Sequence, residues 1–105
     1  MDRAELENKL ENFKKVCIEM QCVDDKAVLD IEESYPGMKP TSFIVNVHVK
    51  KQWLESQYSV NALKKLTQLL YDNTDEDALE NILTLRMSSQ DEWHYFDNLK
   101  DGKTA

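Results

Sequence analysis

Few side chains in this sequence have the chemistry of a nucleophile or of a soft metal ligand. The cysteines are Cys17 and Cys22, and the histidines are His48 and His94. A zinc site wants close pairs of ligands, with about two to five residues between the members of a pair. Here the cysteines are five positions apart and the histidines forty-six. The spacing therefore predicts no metal and no cofactor.

The environment predicted for these side chains also argues against catalysis. Cys17 falls on the apolar stripe of a predicted helix, where a cysteine acts as a small, inert hydrophobe. On a helix, five residues turn Cys17 and Cys22 about 140° apart, which disfavours a disulfide and predicts two reduced thiols. His48 alternates with Asn46 and Lys50 on the outward face of a predicted strand. This alternation predicts a solvated or edge histidine.

The acidic stretch "DNTDEDALENIL" could be mistaken for a calcium loop. If the loop began at Asp72, Asp77 would occupy the position where the sharp turn requires glycine, and Leu83 would replace the bidentate glutamate. With only two glycines, the chain also has little material for a phosphate cradle or a nucleophile elbow. Neighbouring acids such as Asp91 and Glu92 point in different directions, unlike an acid–base couple. The sequence predicts that the protein is not an enzyme.

The distribution of charge is the most informative signal. Between residues 72 and 97, eight acidic residues face only Arg86, so this segment carries a formal charge of −7, equal to that of the whole chain. Acids suit the first turns of helices and keep a protein soluble. Acids beside exposed aromatic rings also form a surface that fits a basic partner. The partner-binding residues predicted on this ground are Asp75, Glu76, Asp77, Glu80, Asp91, Glu92, Trp93 and Tyr95.

These features favour a small, acidic protein-binding module, and a stoichiometric inhibitor or immunity-type protein is a specific form of it. A negative field repels phosphate and no stripe of lysine and arginine is present, so direct nucleic-acid binding is not expected. Two alternatives stay open. One is a homo-oligomeric scaffold whose interface is formed by the first helix and the strongest strand, and the other is a small enzyme of unknown reaction.

The elements that position these residues follow from the spacing of apolar residues. Two helices are predicted, one over 3–21 and one in "SVNALKKLTQLLYDN" with Ser56 or Ser59 as its N-cap. Two strands, "AVLDIEES" and "SFIVNVHVK", alternate apolar and polar residues and are expected to pair antiparallel. The stripe of the first helix consists of Leu6, Leu10, Phe13, Cys17 and Met20.

In the second half of the chain, the spacing of apolar residues fits both a helix and a strand. A short helical turn from about Asp75 followed by a strand over 82–87 is favoured, although Ala78, Leu79, Ile82 and Leu83 also fit a helix. Ser89 and Glu92 resemble a capping box, which predicts a tail helix over 90–100 that ends near Gly102. This helix would bury Trp93, Phe96 and Leu99 and make the tail a part of the fold.

The expected fold is a single small α+β domain spanning residues 1–105, with a frayed C-terminus over 101–105. Helices pack on an antiparallel sheet of about three strands, in the order α-β-β-α-β-α. The N-terminal segment is charged throughout and no apolar run approaches the roughly 20 residues that span a bilayer. A cytoplasmic protein without a membrane segment is expected.

Overall fold

The computed structural model describes residues 1–23, 29–35, 37, 42–57, 59–89 and 92–96, with the backbone alone at 59–60 and 92–96. Within these ranges the chain forms five helices and a four-stranded sheet. The α+β fold class is confirmed. The elements are α1 (Arg3–Lys9), α2 (Glu11–Glu19), β1 (Leu29–Glu33), β2 (Phe43–His48), α3 (Lys51–Gln57), α4 (Ser59–Asp72), α5 (Glu76–Glu80), β3 (Ile82–Ser89) and β4 (Glu92–Phe96).

The first predicted helix is present as α1 and α2, joined at Leu10. The amide of Leu10 donates to the carbonyls of Leu6 and Glu7 at 3.0 and 3.3 Å, so hydrogen bonding continues across the junction. Leu6, Leu10, Phe13 and Cys17 are fully buried, as the stripe predicts, whereas Met20 is 41% exposed. Met20 escapes burial because α2 ends at Glu19.

The chain reverses directly after α2 in a Schellman-type cap. Gln21 adopts a φ of 60° and its amide donates to Ile18, while the amide of Cys22 donates to the carbonyl of Cys17 at 3.0 Å. The helical geometry assumed for the cysteine pair therefore fails at Cys22, which folds back into the core that holds Cys17. Both cysteines are free thiols.

The sheet is mixed, which corrects the predicted antiparallel arrangement. Its strand order is β1-β2-β3-β4, with β1 antiparallel to β2 as predicted and β4 antiparallel to β3. In contrast, β2 and β3 are parallel. The chain between them forms three helices, and a helical crossover returns a chain in the direction of the previous strand. The prediction omitted α3 and with it part of this crossover.

Two further predictions need correction. The tail over 92–96 forms a fourth strand and not a helix, so the order ends in β-β, although these residues do belong to the fold. The N-cap proposed at Ser56 is wrong, because Ser56 lies inside α3 and its hydroxyl donates to the carbonyl of Trp53 at 2.7 Å. The predicted helical turn and strand after Asp75 are confirmed as α5 and β3. The frayed terminus predicted at 101–105 lies outside the described residues.

All five helices bury apolar residues in one cluster with one face of the sheet. Ile31, Val45, Val47, Leu85 and Met87 form the strand side of that cluster. The opposite sheet face, called the open face below, carries Asp30, Glu32, Ile44, Asn46, His48, Thr84, Arg86 and Ser88. The longest described helix, α4, has 14 residues, and within the described ranges no helix has the length and apolar character needed to cross a bilayer.

Candidate functional site: the acidic corner and the open face

One end of the molecule concentrates acidic side chains where α4 gives way to α5. We call this surface the acidic corner. Its side chains are all exposed. It consists of Asp72, Asp75, Glu76, Asp77 and Glu80.

Asp75 begins α5 and links it to the first helix. Its Oδ1 accepts from the amide of Ala78 at 2.9 Å, which satisfies a helix-start amide, and its Oδ2 accepts from Nζ of Lys9 at 2.6 Å. The hydrogen bond from Lys9, and then the one from Ala78, hold the pKa of Asp75 below its ordinary value. The same bond raises the pKa of Lys9. Among the ion pairs formed by described residues, Lys9 is the only cation bound to the acidic corner.

The structure separates the residues predicted to bind a partner. Asp75, Glu76, Asp77 and Glu80 lie together in the acidic corner. Their helix leads directly into β3 at Ile82.

Glu92 lies elsewhere. Glu92 pairs with Ser89 at the far end of β3, seven residues from Ile82, a distance of about 23 Å along the strand. Trp93 pairs with Ser88 and Tyr95 with Arg86. Asp91 lies outside the described residues. The backbone thus places the acidic helix and Glu92 at opposite ends of one strand.

The open face holds a chain of three hydrogen-bonded side chains that local sequence patterns do not predict. Nε2 of His48 lies 2.7 Å from Oδ2 of Asp30, and Nδ1 of the same ring lies 3.0 Å from Oγ of Ser88. An acid, an imidazole and a hydroxyl in this order are the groups of a nucleophilic triad. His48 was predicted to be a solvated or edge histidine. Its side chain is 35% exposed, and both of its ring nitrogens are hydrogen-bonded.

The burial of Ser88 weighs against a catalytic role for this chain. Ser88 is 3% exposed and sits in the middle of the sheet, where its carbonyl accepts from the amide of Val49 at 2.9 Å. A nucleophile must reach a substrate carbonyl, and this hydroxyl is covered. The three side chains instead tie β1, β2 and β3 together across the open face.

A second polar row crosses the same strands. Nδ2 of Asn46 donates to Oε1 of Glu32 at 2.8 Å, and a guanidinium nitrogen of Arg86 lies 3.6 Å from the same oxygen. Asn46 is only 2% exposed, although its strand alternation predicted an outward position. Its Oδ1 has no hydrogen-bond partner in the described part of the chain. Cross-strand polar pairs of this kind stabilise a sheet.

The thiols are poorly suited to chemistry. Both cysteines are 0% exposed. Burial, and then the proximity of Cys22, raises the pKa of Cys17 to about 12, and burial also raises the pKa of Cys22. A cysteine must be a thiolate to attack or to bind a metal, so these groups are inert at neutral pH. Among the described residues no three histidine, cysteine, aspartate or glutamate side chains are grouped so as to hold a metal ion.

A groove of about 290 Å³ lies between the first two helices and β1. Charges of both signs line it, so it has no single electrostatic character. Its walls include Arg3, Glu7, Glu11, Lys14, Leu29 and Asp30.

The chain matches no protein-family model, no curated protein and no solved structure. A function can therefore be proposed only on the chemistry of its own residues.

Proposed function

We propose that this protein is a small binding module that engages a basic partner protein, stoichiometrically, through the acidic corner. The observation that carries the proposal is the imbalance of charge there: within the described residues, only Asp75 of the five exposed acids forms an ion pair, with Lys9. A concentrated field of one sign speeds and steers the encounter with a partner of opposite sign. Trp93 pairs with Ser88 near the far end of β3, and Tyr95 pairs with Arg86 in the middle of β3. Neither residue is required for this contact.

The specific form of this function is inhibition of a partner that itself binds phosphate. Carboxylates fixed on the short helix α5 offer a basic groove the same charge as a nucleic-acid backbone, and a 1:1 complex would block that groove. The same field repels nucleic acid, so the protein acts on the partner and not on DNA or RNA directly. We place this function in the cytoplasm, where thiols such as Cys17 and Cys22 stay reduced.

A titration with a defined basic probe tests the proposal. Calorimetry measures the affinity of the protein for a synthetic peptide of ten lysines, with an uncharged glycine–serine peptide of the same length as the control. Binding to the lysine peptide is expected to weaken as salt rises, because exposed charges are screened beyond about 8 Å near physiological ionic strength. An affinity that does not depend on salt would contradict an electrostatic contact.

A charge variant locates the contact at the acidic corner. The triple variant Glu76→Gln, Asp77→Asn, Glu80→Gln raises the net charge by three. It is expected to weaken binding of the lysine peptide by at least about tenfold, since it removes three of the five charges that form the field.

The matched control removes three acids elsewhere. Glu19→Gln, Glu33→Gln and Glu55→Gln together change the net charge by the same amount, and these side chains are exposed outside the acidic corner. This control is expected to change the affinity by less than about threefold, the effect of net charge alone. Equal losses of affinity in the two triple variants would show that binding depends only on net charge, and the proposed site would be wrong.

A hydrolase is the second candidate function, and only the chain Asp30–His48–Ser88 favours it. A fluorophosphonate probe, which labels activated serines, tests it directly. Because Ser88 is 3% exposed, we expect no labelling of the folded protein. Labelling mapped to Ser88 and abolished by His48→Gln would establish the enzyme and displace the binding proposal.

A further inference from the structure

The sheet has two outer strands, and they differ in the kinds of residue that they contain. In the described part of the chain, β1 pairs only with β2 and β4 pairs only with β3. An outer strand presents unpaired amides and carbonyls that another strand can bind. Proteins commonly block such an edge with charged side chains.

The edge at β1 is blocked in this way. Three of its five residues, Asp30, Glu32 and Glu33, are acidic and exposed. The strand β4 has the sequence "EWHYF", with one acid at its first position and four ring-bearing residues after it. Aromatic residues have a high preference for strands. The edge at β1 is therefore blocked by charged residues, whereas β4 has the composition of a strand that is paired on both sides.

We propose that the outer edge of β4 pairs antiparallel with β4 of a second copy of this chain, which joins two four-stranded sheets into one of eight strands. This surface is distinct from the acidic corner, so the proposal does not depend on the proposed function. The homodimer interface expected from the sequence used the first helix and the strongest strand. That strand, β2, is hydrogen-bonded on both sides, and the stripe of the first helix is buried in the core from Leu6 to Cys17.

The register of this pairing follows from symmetry. A two-fold axis normal to the sheet keeps the helices of both copies on the same side, and residues opposite each other must then share a face. Only an axis through His94 satisfies this condition while pairing all five residues from Glu92 to Phe96. It sets Trp93 opposite Tyr95 of the second copy, twice, on the face that also carries Arg86 and Ser88.

The small size of the interface and the net charge of each copy determine the strength and the salt dependence of the dimer. Directly opposed aromatic residues add to the backbone hydrogen bonds of a strand pair. A five-residue pairing buries much less than the about 800 Å² per partner of a standard interface, so the dimer is weak. Each copy carries a net charge of −7 and the two copies repel each other. Salt screens that repulsion, so self-association strengthens as salt rises, opposite to the binding of a basic partner.

Sedimentation equilibrium of the full chain tests the proposal. We expect a monomer–dimer equilibrium that shifts at least about tenfold toward dimer as the salt concentration rises from about 0.01 M to about 1 M, over which the Debye length falls from about 30 to about 3 Å. A protein that stays monomeric at all concentrations and salts would overturn the proposal. So would a dimer that weakens with salt.

Charge variants test the register. The double variant Trp93→Glu, Tyr95→Glu places acids opposite each other across the two-fold axis and is expected to abolish the dimer. The double variant Trp93→Lys, Tyr95→Glu sets an introduced lysine opposite an introduced glutamate and is expected to restore it. Glu33→Lys, on the opposite edge of the sheet, is the control. It changes the net charge of each copy from −7 to −5, so it should strengthen the dimer slightly, as screening by salt does, and should not weaken it. A dimer that changes more with Glu33→Lys than with the β4 variants would place the interface at β1 and contradict the proposal.

A cross-link keeps the test decisive if the charged variants do not fold, which circular dichroism and thermal melting would reveal. His94→Cys places two thiols directly opposite each other at the axis. Opposed residues of an antiparallel pair have Cα atoms about 4.5 to 5.5 Å apart, within the range of a disulfide. We expect this variant to form a disulfide-linked dimer with oxidised glutathione, while Glu33→Cys does not. The buried Cys17 and Cys22 do not compete. Failure of His94→Cys to cross-link more than Glu33→Cys would overturn the proposed register.

Discussion

The open face of the sheet and the acidic corner are both rich in charged groups, and they differ in how those groups are partnered. On the open face, Asp30 is bound to His48, while Glu32 accepts from Asn46 and faces Arg86. At the acidic corner, five exposed acids have Lys9 as their one paired cation within the described residues. Partnered polar groups hold neighbouring strands together, whereas an unbalanced field extends into solvent and can attract another molecule. Stability should therefore depend on the open face, and binding on the corner.

The largest effect on stability is expected from Asn46→Ala. The substitution removes the hydrogen bond to Glu32 and the volume of a side chain that is 2% exposed, so the free energy of unfolding should fall by about 1 to 3 kcal/mol. Urea unfolding measures it. The control is Asn61→Ala on the exposed side of α4, for which less than about 0.5 kcal/mol is expected. Equal losses at the two positions would refute the structural role of the open face.

A smaller loss is expected from Ser88→Ala. The variant deletes one hydrogen bond to His48, so the free energy of unfolding should fall by about 0.5 to 1.5 kcal/mol. A double-mutant cycle with His48→Gln should show coupling between the two side chains. Affinity for the lysine peptide should not change. Additive effects of the two substitutions would mean that the His48–Ser88 contact contributes nothing.

The triple variant of the acidic corner tests whether this surface contributes to binding and not to stability. Glu76→Gln, Asp77→Asn and Glu80→Gln relieve mutual repulsion but lose favourable charge at the start of α5, so stability should change by less than about 0.5 kcal/mol. The same variant loses binding, as proposed above. Thermal melting measured beside the peptide titration separates the two quantities. A large loss of stability would show that the corner holds the fold together, as the open face does.

The smallest effect concerns Asp75, the acid of the corner that forms an ion pair within the described residues. The pKa of Asp75 is held below its ordinary value of 3.8, chiefly by Lys9, so the bond stabilises the folded state above that pH. The contribution is lost as the pH falls through the pKa of the folded state. Asp75→Asn should therefore be less stable than the wild type at neutral pH, and the difference should vanish in acid. Unfolding curves over this pH range measure it, and a difference that does not change with pH would exclude the Lys9–Asp75 pair as its source.

Local periodicity was sufficient to predict several elements. The stripe from Leu6 to Cys17 predicts the first helix, and the alternation in Phe43–His48 predicts β2 and its antiparallel partner β1. These signals lie within one segment, so no knowledge of distant contacts is needed. The tail is different, because "SSQDEWHYF" fits both a capping box and an alternating strand. Pairing with the free edge of β3, which is not a local property, decides for the strand.

The open-face network could not be predicted for a related reason. Asp30 is 18 residues from His48, and His48 is 40 from Ser88, so only the register of three strands brings them together. That register includes the parallel pairing of β2 and β3, which depends on the crossover helices. The acidic corner, in contrast, lies within one short stretch of sequence. The sequence alone therefore shows the charge imbalance of the corner, whereas the separation of the corner from Glu92 requires the structure.

A map of where a basic molecule contacts the protein tests most directly whether binding occurs at the acidic corner. Amide chemical shifts of the isotope-labelled chain are followed by NMR as the lysine peptide is added, with the glycine–serine peptide as the control. The largest changes are expected at residues 72–80, and only small changes are expected at 30–33 and 44–48. Changes centred on the open face, or spread evenly over all exposed acids, would contradict it.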